Sequence, residues 1–425
     1  MKILIKNGRV IDPANNLDEV CDILIENSII SKVAKNIRNN NVDDIIDAQN
    51  KIVMPGLVDM HVHLREPGRE DKETIASGTK AALGGGITSV LAMPNTNPAI
   101  DCIESVGLLK NIIAKTANAH VFMTAAITKG RLGQELTDIA KLKRADVIAI
   151  TDDGASVDSD KLMLEAFKIA KKEKILVICH CEDRALSKAG VVNLGITSTR
   201  MGLRGISCES EYKRVQRDIE LAERAKAAVH IAHLSCRESV EIIAKAKKKG
   251  IKVTCETTPH HFSLSEEAVL SFDTNLKVNP PLRSKDDVLA IQQGLVGGTI
   301  DVIASDHAPH TENEKEIEFE RAEFGVIGLE TELAVSITEL VNTGLLDWKG
   351  LVEKLSLNPA KILGLNKGTL SVGQEADLAI VSTDKEWLVE KSSFVSKSKN
   401  SAFLGRILKG AVEYTLCSGK VAYKA

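Results

Sequence analysis

The sequence predicts an α/β protein: a (β/α)8 TIM-like barrel with a small β-sandwich domain formed by both chain termini. Three observations carry this. From residue 56 to about 365, apolar runs of strand length alternate with helical patterns. Near-continuous apolar strands separated by helices mean a parallel sheet covered on both faces, and eight such units favour a closed barrel over an open sheet. Nearly every histidine and odd carboxylate of these runs falls at a C-terminal end, the rim where such barrels gather their chemistry.

The elements follow in order. Residues 2–8 and 21–34 alternate like half-buried strands, with turns expected at Asn7-Gly8 and Glu26-Asn27. No helix-period pattern precedes residue 50, and some fifty β residues are too few for a core of their own. The C-terminus supplies the partner. Turns and strands return at 368–381, and 407–422 reads as a hairpin broken by Gly410 and Gly419. Residues 1–54 and 366–425 are therefore expected to form one composite β-sandwich, with the barrel, 55–365, inserted between them. Barrel strands are expected at 56–62, 88–93, 120–127, 146–151, 175–180, 228–233, 252–257 and 301–305. Helices are expected at 70–83, 101–117, 133–143, 159–172, 209–227, 236–249 and 286–297. The glycine run 84–86 precedes a strand instead of following one, the wrong order for a dinucleotide loop, and reads as a helix stop.

Bulk properties narrow the function. The chain has 425 residues, a formal net charge of -3 and 3% aromatics. That gives no nucleic-acid footprint, no anionic-membrane footprint and little material for base-stacking platforms. No apolar run reaches the length of a membrane span, and the N-terminus lacks an uninterrupted apolar signal core, so the cytoplasm is the default location. The eight cysteines are scattered. They are expected to be mostly buried thiols and not a disulfide framework.

The organising stretch is Gly56-Leu-Val-Asp-Met-His61-Val-His63-Leu-Arg65. At period two, His61 and His63 share a face, which is how a strand delivers two nitrogens to one metal. Strand four ends in Asp152-Asp153, strand five in His180, strand six in His233, and strand eight in Asp306-His-Ala-Pro-His310. Four histidines and two carboxylates exceed the needs of one tetrahedral zinc and suit two divalent ions. His61 and His63 would hold the first ion, and His180 and His233 the second. Asp153 would bridge them, with Asp152 pointing elsewhere. Asp306 would sit on the first ion and touch the bridging water. Metal binding lowers the pKa of such a water to roughly 7, and Asp306 would carry its proton to a leaving nitrogen. This is a constellation for hydrolysing amide-like bonds.

The remaining rim residues describe a small, anionic, amide-bearing substrate. Arg65 offers a bidentate partner for a carboxylate. Asn95, Asn279 and His310 add donors. The charged stretch Thr311-Glu312 to Phe324-Gly325 is placed to act as a lid that excludes water. His260 and His261 read as loop histidines, and His120 and His230, at strand starts, as structural. Cys181 adjoins His180 but should point away from it unless the strand end is irregular.

These residues also carry a family resemblance. Pro55 to Gly68, Met93-Pro-Asn-Thr96, Thr151-Asp-Asp-Gly154, His180-Cys-Glu182, Ile231-Ala-His-Leu-Ser235, Asn279-Pro-Pro-Leu-Arg283 and Ala304 to His310 closely resemble the dihydroorotases of the amidohydrolase superfamily, and Gly373 to Leu378 resembles their terminal β segment. The resemblance implies reversible conversion of N-carbamoyl-L-aspartate to L-dihydroorotate, the third step of pyrimidine synthesis, with one or two Zn2+ ions and a binuclear site favoured. It implies that Arg65, Asn95 and His310 hold the exocyclic carboxylate, with Asn279 beside the ring. It admits a complex with aspartate transcarbamoylase, and a homo-oligomer. Many superfamily members bridge their metals with a carboxylated lysine on strand four. Residues 145–153 contain no lysine, and the Asp-Asp-Gly ending resembles the branch in which an aspartate bridges. Two other readings are a cyclic amidase for allantoin, hydantoins or dihydropyrimidines, and a non-enzymatic scaffold. Arg65 opposes the first, because those rings lack the exocyclic carboxylate. The complete ligand set opposes the second.

Overall fold

The computed structural model describes residues 1–38 and 41–425. Eight parallel strands form the barrel: β1 (Leu57–Val62), β2 (Ile87–Ala92), β3 (His120–Ala125), β4 (Ala149–Ile150), β5 (Leu176–Cys179), β6 (Val229–Ile231), β7 (Val253–Thr257) and β8 (Val302–Ile303). Each pairs with its sequence neighbour. β4 and β8 are shorter than their apolar runs, but the backbone continues the pairing outside β4. Ile148 N donates to Met123 O and Thr151 N to Ala125 O.

The barrel closes between its first and last strands. Val62 bridges His307, and His63 N donates to His307 O at 2.8 Å. Below this, the buried carboxylate of Asp59 accepts from Ser305 N at 3.3 Å, from His61 N at 3.1 Å and from the Ser305 hydroxyl. Val58, Met60, Leu91, Ile178, Ala232 and Val302 touch one another across the strands, which only the barrel interior allows.

β1 departs from strict alternation. Val58 and Met60 belong to the interior cluster, whereas Val62 and Leu64 pack in the larger core outside it. The register against β2 slips between Asp59 and Val62. This bulge, not simple period-two alternation, turns His61 and His63 into the site.

Helices α1 (Ile75–Gly84), α2 (Ile103–Thr116), α3 (Ile139–Arg144), α4 (Asp160–Glu173), α5 (Cys208–Ala225), α6 (Arg237–Lys248), α7 (Lys285–Val296) and α8 (Glu332–Ser336) follow the strands in turn. α4 shows why: it buries Met163, Ala166, Phe167 and Ala170, the one-face spacing of an amphipathic helix, and Ser159 caps it through Leu162 N.

Both termini contribute to a second, eight-stranded sheet. Lys2–Asp12 pairs antiparallel with Leu17–Glu26 and parallel with Asp44–Asp47 and Lys51–Pro55. Lys51–Pro55 pairs with Leu378–Leu388, which leads to the hairpin Ile407–Cys417 and Lys420–Lys424. Asn27 and Ser28 form the expected tight turn, with positive φ at both. Asn7-Gly8 is not a turn. It is a bulge within one long strand, where the register shifts between Ile5 and Gly8. A Cβ on Gly8 would meet Val53 at 2.5 Å, so the close approach of the neighbouring strand, not a chain reversal, requires glycine. Between Leu388 and Ile407 the chain leaves this sheet, and Phe394, Ala402 and Phe403 pack in the barrel's large core.

A half-buried ion cluster joins the sheet to the bottom of the barrel. Lys367 Nζ donates to Asp377 Oδ2 at 2.5 Å, to Glu375 Oε2 at 2.6 Å and to His120 Nε2, at the start of β3, at 2.9 Å. Removing Lys367 takes a charged partner from Asp377, the one buried member. Lys367→Met is expected to lower stability by about 1–3 kcal/mol, read as a reduced urea midpoint, with the kinetic constants of the remaining folded protein unchanged.

Candidate metal centre and substrate pocket

The carboxylate of Asp153 lies at the centre of the rim. Its oxygens are 3.4 Å from His61 Nε2, 3.4 Å from His63 Nε2, 3.5 Å from His180 Nδ1 and 3.6 Å from His233 Nε2. Asp306 Oδ1 is 3.2 Å from His63 Nε2 and 3.6 Å from His61 Nε2. His61, His63 and Asp306 form one group with metal-ligand spacing, and His61, Asp153 and His233 form another. His180 and His233 approach at 2.9 Å between ring nitrogens. All six side chains are buried or nearly so.

Hydrogen bonds on the far sides of the rings fix which nitrogens face inward. His61 Nδ1 donates to Glu256 Oε1 at 2.5 Å, and His63 Nδ1 donates to Asn95 Oδ1 at 2.7 Å. In those tautomers each Nε2 presents a lone pair to two carboxylates. His61 Nε2, Asp153 Oδ1 and His233 Nδ1 are buried and, among the described residues, have no hydrogen-bond partner. Buried lone pairs facing carboxylates call for a cation, so these residues fit a divalent ion.

The titration tendencies agree. Burial opposes charge on His61, but Asp153 and Glu256 outweigh it and hold its pKa well above normal. Burial likewise opposes charge on His180, and Asp153 and Glu182 outweigh it, raising it to about 9. Burial disfavours the ionised Asp306, yet His61 and His63 hold its carboxyl below the usual range. A proton is drawn in where a metal would supply the charge.

Three rim residues adopt backbone conformations rare for non-glycine side chains. φ is +61° at Arg65, +31° at His233 and +47° at Asp306. Such geometry costs on the order of 1–3 kcal/mol per residue and clusters at functional sites. Here it turns each side chain inward as its strand ends.

The residues expected to face the substrate form two groups, Arg65 with Lys72 and His310, and Asn279 with Glu182 beside His180. Arg65 Nε donates to Pro309 O at 3.1 Å, and its Nη2 lies 3.3 Å from His310 Nε2. His310 Nδ1 accepts from Lys72 Nζ at 3.0 Å, and its Nε2 donates to Phe324 O at 2.8 Å. Burial, then Arg65 and Lys72, keep His310 neutral, while burial lowers Arg65 to about 10. Asn279 Nδ2 donates to Glu182 Oε2 at 3.0 Å, and that same oxygen faces His180 Nε2 at 3.3 Å.

Phe324 and Gly325 close against His310, and a Cβ on Gly325 would meet Ala308 at 2.7 Å. Lys277 Nζ holds this stretch through three carbonyls, Phe319, Glu320 and Ala322, and Lys315 Nζ through two, Glu323 and Gly325. Thr311 and Glu312, by contrast, stand on the outer side, where Glu312 pairs with Lys391.

Of the surrounding residues, His260 and His261 lie elsewhere than the sequence suggested, His230, Cys181 and Asp152 stay out of the site as expected, and others were not singled out. His260 and His261 are buried in a short helix, Pro259–Ser263, and are not loop histidines. His261 Nε2 donates to Pro280 O, beside Asn279. His230 sits inside the barrel, where its Nε2 faces Glu256 Oε2 at 3.2 Å. Cys181 Sγ contacts Asp218, behind the rim. Asp152 turns away and accepts from Ile127 N and Thr128 N. Glu256, Glu182 and Arg131, whose guanidinium donates to Asp153 O, are the residues sequence reasoning missed. Glu256 offered one signal: a lone carboxylate inside an apolar strand.

The barrel, the paired histidines and the carboxylate-centred rim define a cyclic amidohydrolase. A dihydro-orotase-like family profile matches residues 50–239. Over 99% of its length the chain is 54% identical to a dihydroorotase from Elusimicrobium minutum, covering 97% of that protein. It is 48% identical to one from Geobacter metallireducens, with both chains fully covered. An L-hydantoinase (dihydropyrimidinase) structure from Arthrobacter aurescens superposes with a TM-score of 0.90 at 27% identity, over 99% of this chain and 95% of that one. The chain belongs to the dihydroorotase family.

Because Glu256 orients His61 from behind, Glu256→Gln should weaken metal binding by about 10- to 100-fold. Competition with a chelator measures this, and a folded variant with unchanged metal affinity would remove Glu256 from that role.

Proposed function

We infer that the chain is a dihydroorotase, interconverting N-carbamoyl-L-aspartate and L-dihydroorotate with release or uptake of water. The observation that carries the substrate choice is the Arg65 wall. The Arg65 guanidinium stands beside the carboxylate-centred rim with the neutral His310 and with Lys72, whose charge Glu314 already offsets, and hydantoin or dihydrouracil would leave Arg65 without a carboxylate. In this reading residues 55–365 form the catalytic barrel, and residues 1–54 with 366–425 form the composite β-sandwich. Among the described residues no helix is long and apolar enough to cross a membrane.

His61, His63 and Asp306 would hold one zinc ion, His180 and His233 a second, and Asp153 both. When bound, zinc polarises the scissile carbonyl and makes water acidic enough to attack near neutral pH. The protein's own groups do the rest. Arg65 and Asn95 would bind the exocyclic carboxylate and fix the ring against the rim, and His310 would join them by exchanging its hydrogen bond to Phe324 O for one to the substrate. Asn279, steadied by Glu182, faces the ring. Asp306 is ionised, so it can accept the attacking water's proton. It then delivers that proton to the ring nitrogen as the carbon–nitrogen bond breaks. Ring closure runs the same transfers backward. The stretch ending at Phe324-Gly325 covers the pocket and limits competing water.

With zinc-loaded protein, turnover is expected on L-dihydroorotate and not on hydantoin, dihydrouracil or allantoin. Hydrolysis of an uncharged ring in preference would overturn the substrate assignment. Arg65→Met should reduce kcat/KM by about 10- to 100-fold, the worth of a charged hydrogen bond, and leave metal content unchanged. Asp306→Asn should reduce kcat on the order of 10²- to 10⁴-fold. Near-normal turnover in that variant would assign the proton transfer to another group.

A further inference from the structure

Behind the rim, two cysteines that play no part in this chemistry meet at the starts of two long helices. Cys208 is the first residue of α5, and Cys236 caps α6. Their sulfurs lie within 4.8 Å of each other. Cys236 is fully buried, whereas Cys208 is only partly buried. The guanidinium of Arg283, itself 2% exposed, lies close enough for its charge to act on both sulfurs; its Nη2 is 3.8 Å from the Glu211 carboxylate and, among the described residues, has no hydrogen-bond partner. We propose that Cys208 and Cys236 form a hydroperoxide-responsive dithiol site that closes to an intramolecular disulfide and slows turnover.

The asymmetry of the pair sets the order of events. The Cys208 thiol is lowered by its neighbour Cys236, against burial and with help from Arg283. The Cys236 thiol donates to Glu211 Oε1 at 3.4 Å and lies 3.1 Å from Ser239 Oγ, and its contact with Cys208, burial and the Glu211 carboxylate raise it well above the usual thiol range. The less buried sulfur is thus the more acidic one, as in sensor cysteines with a resolving partner. The Cys208 thiolate attacks the terminal oxygen of a hydroperoxide. The O–O bond breaks, an alcohol or water leaves, and Cys208 becomes a sulfenic acid. The Cys236 sulfur then displaces the sulfenic oxygen, which departs as water with the Cys236 proton. Two thiols are oxidised, and one hydroperoxide is reduced. The sulfurs must close to about 2.05 Å, so the backbone or rotamer at Cys236 has to shift.

That shift reaches the site through named contacts. Arg283 Nε donates to Ser235 Oγ at 3.0 Å, and its Nη1 donates to Asn193 Oδ1 and Ile206 O, both at 2.8 Å. Glu211 accepts from Ser235 N at 3.1 Å and from Cys236 N at 3.4 Å. Ser235 is two residues from His233, and Arg283 is four from Asn279. The disulfide pulls on both.

The test treats reduced full-length protein with one equivalent of hydrogen peroxide, alkylates it, and maps peptides by mass spectrometry. The expected result is a Cys208–Cys236 crosslink, loss of two thiols per chain, and a fall in dihydroorotate turnover on the order of tenfold or more that dithiothreitol reverses. Cys208→Ser should keep the reduced activity and resist peroxide. Cys102→Ser, which removes an exposed thiol elsewhere, should crosslink like the parent. Cys208 advancing to sulfinic acid while Cys236 alkylates freely would overturn the site, as would oxidation confined to Cys102. A crosslink without loss of turnover would overturn its effect on catalysis. That effect rests on the dihydroorotase reading and the crosslink does not, so failure of one is distinguishable from failure of the other.

Discussion

Closure of the barrel between its first and last strands is the constraint on which the rest depends. A parallel barrel has no covalent reason to close. Here Asp59 reaches from β1 to Ser305 beside β8, and His63 N pairs with His307 O. These contacts set Asp306 within hydrogen-bond distance of His63. The same carboxylate accepts from His61 N, so one buried side chain sets both the join and the course of the bulged strand that follows. Burial raises Asp59 to about 7. Its ionised form is therefore stabilised by the hydrogen bonds of closure and by little else. The barrel join and the placement of the first histidine pair are one piece of physics.

Once closed, the barrel buries a concentration of polar groups that it cannot satisfy internally. Glu256 illustrates the arrangement. It faces His61 on one oxygen and His230 on the other, deep in the interior. The histidine behind the carboxylate and the carboxylate behind the ligand form a chain that ends in an inward-facing lone pair. Glu182 plays a similar part for His180 and shares its charge with Asn279. Opposite this acidic side stands the wall of Arg65 and Lys72, with Glu314 3.0 Å from Lys72 at its outer edge. The pocket is electrostatically divided: a rim that needs cations and a wall that needs an anion. The proposed substrate, a ring carrying an amide and a carboxylate, would span both.

The sequence made the barrel legible because its period is coarse. Apolar runs and amphipathic helices repeat over hundreds of residues, and a slip of two or three positions does not change the architecture. The inward ligands were legible for a related reason. Histidine in an apolar strand end is rare enough that His61, His63, His180 and His233 stand out singly, and the structure brings them together. Glu256, Glu182 and Arg131 were not legible, because their roles depend on which residue of a distant strand lies opposite. Lys277 and Lys315 were hidden more completely. An ammonium that serves a loop's backbone carbonyls leaves no complementary residue type in the sequence. The bulge in β1 went unseen because hydrophobic alternation reads identically on either side of a one-residue slip.

The absence of a lysine on β4 poses a problem of reach, and the geometry answers it. An aspartate is several bonds shorter than a carboxylated lysine, so the strand end itself must come closer to the histidines. The chain achieves this by turning sharply after Ile150. Asp153 N donates to Thr151 Oγ1 at 3.0 Å, Arg131 ties down Asp153 O, and Gly154 follows with φ +73°. With the backbone pinned, both oxygens of Asp153 fall within 3.4–3.6 Å of the four imidazoles. The length lost from the side chain is recovered by the main chain. Because Arg131 and Thr151 hold that turn, a lysine at position 153 would project past the histidines instead of between them. The short side chain at 153 and the loop that carries it therefore have to change together.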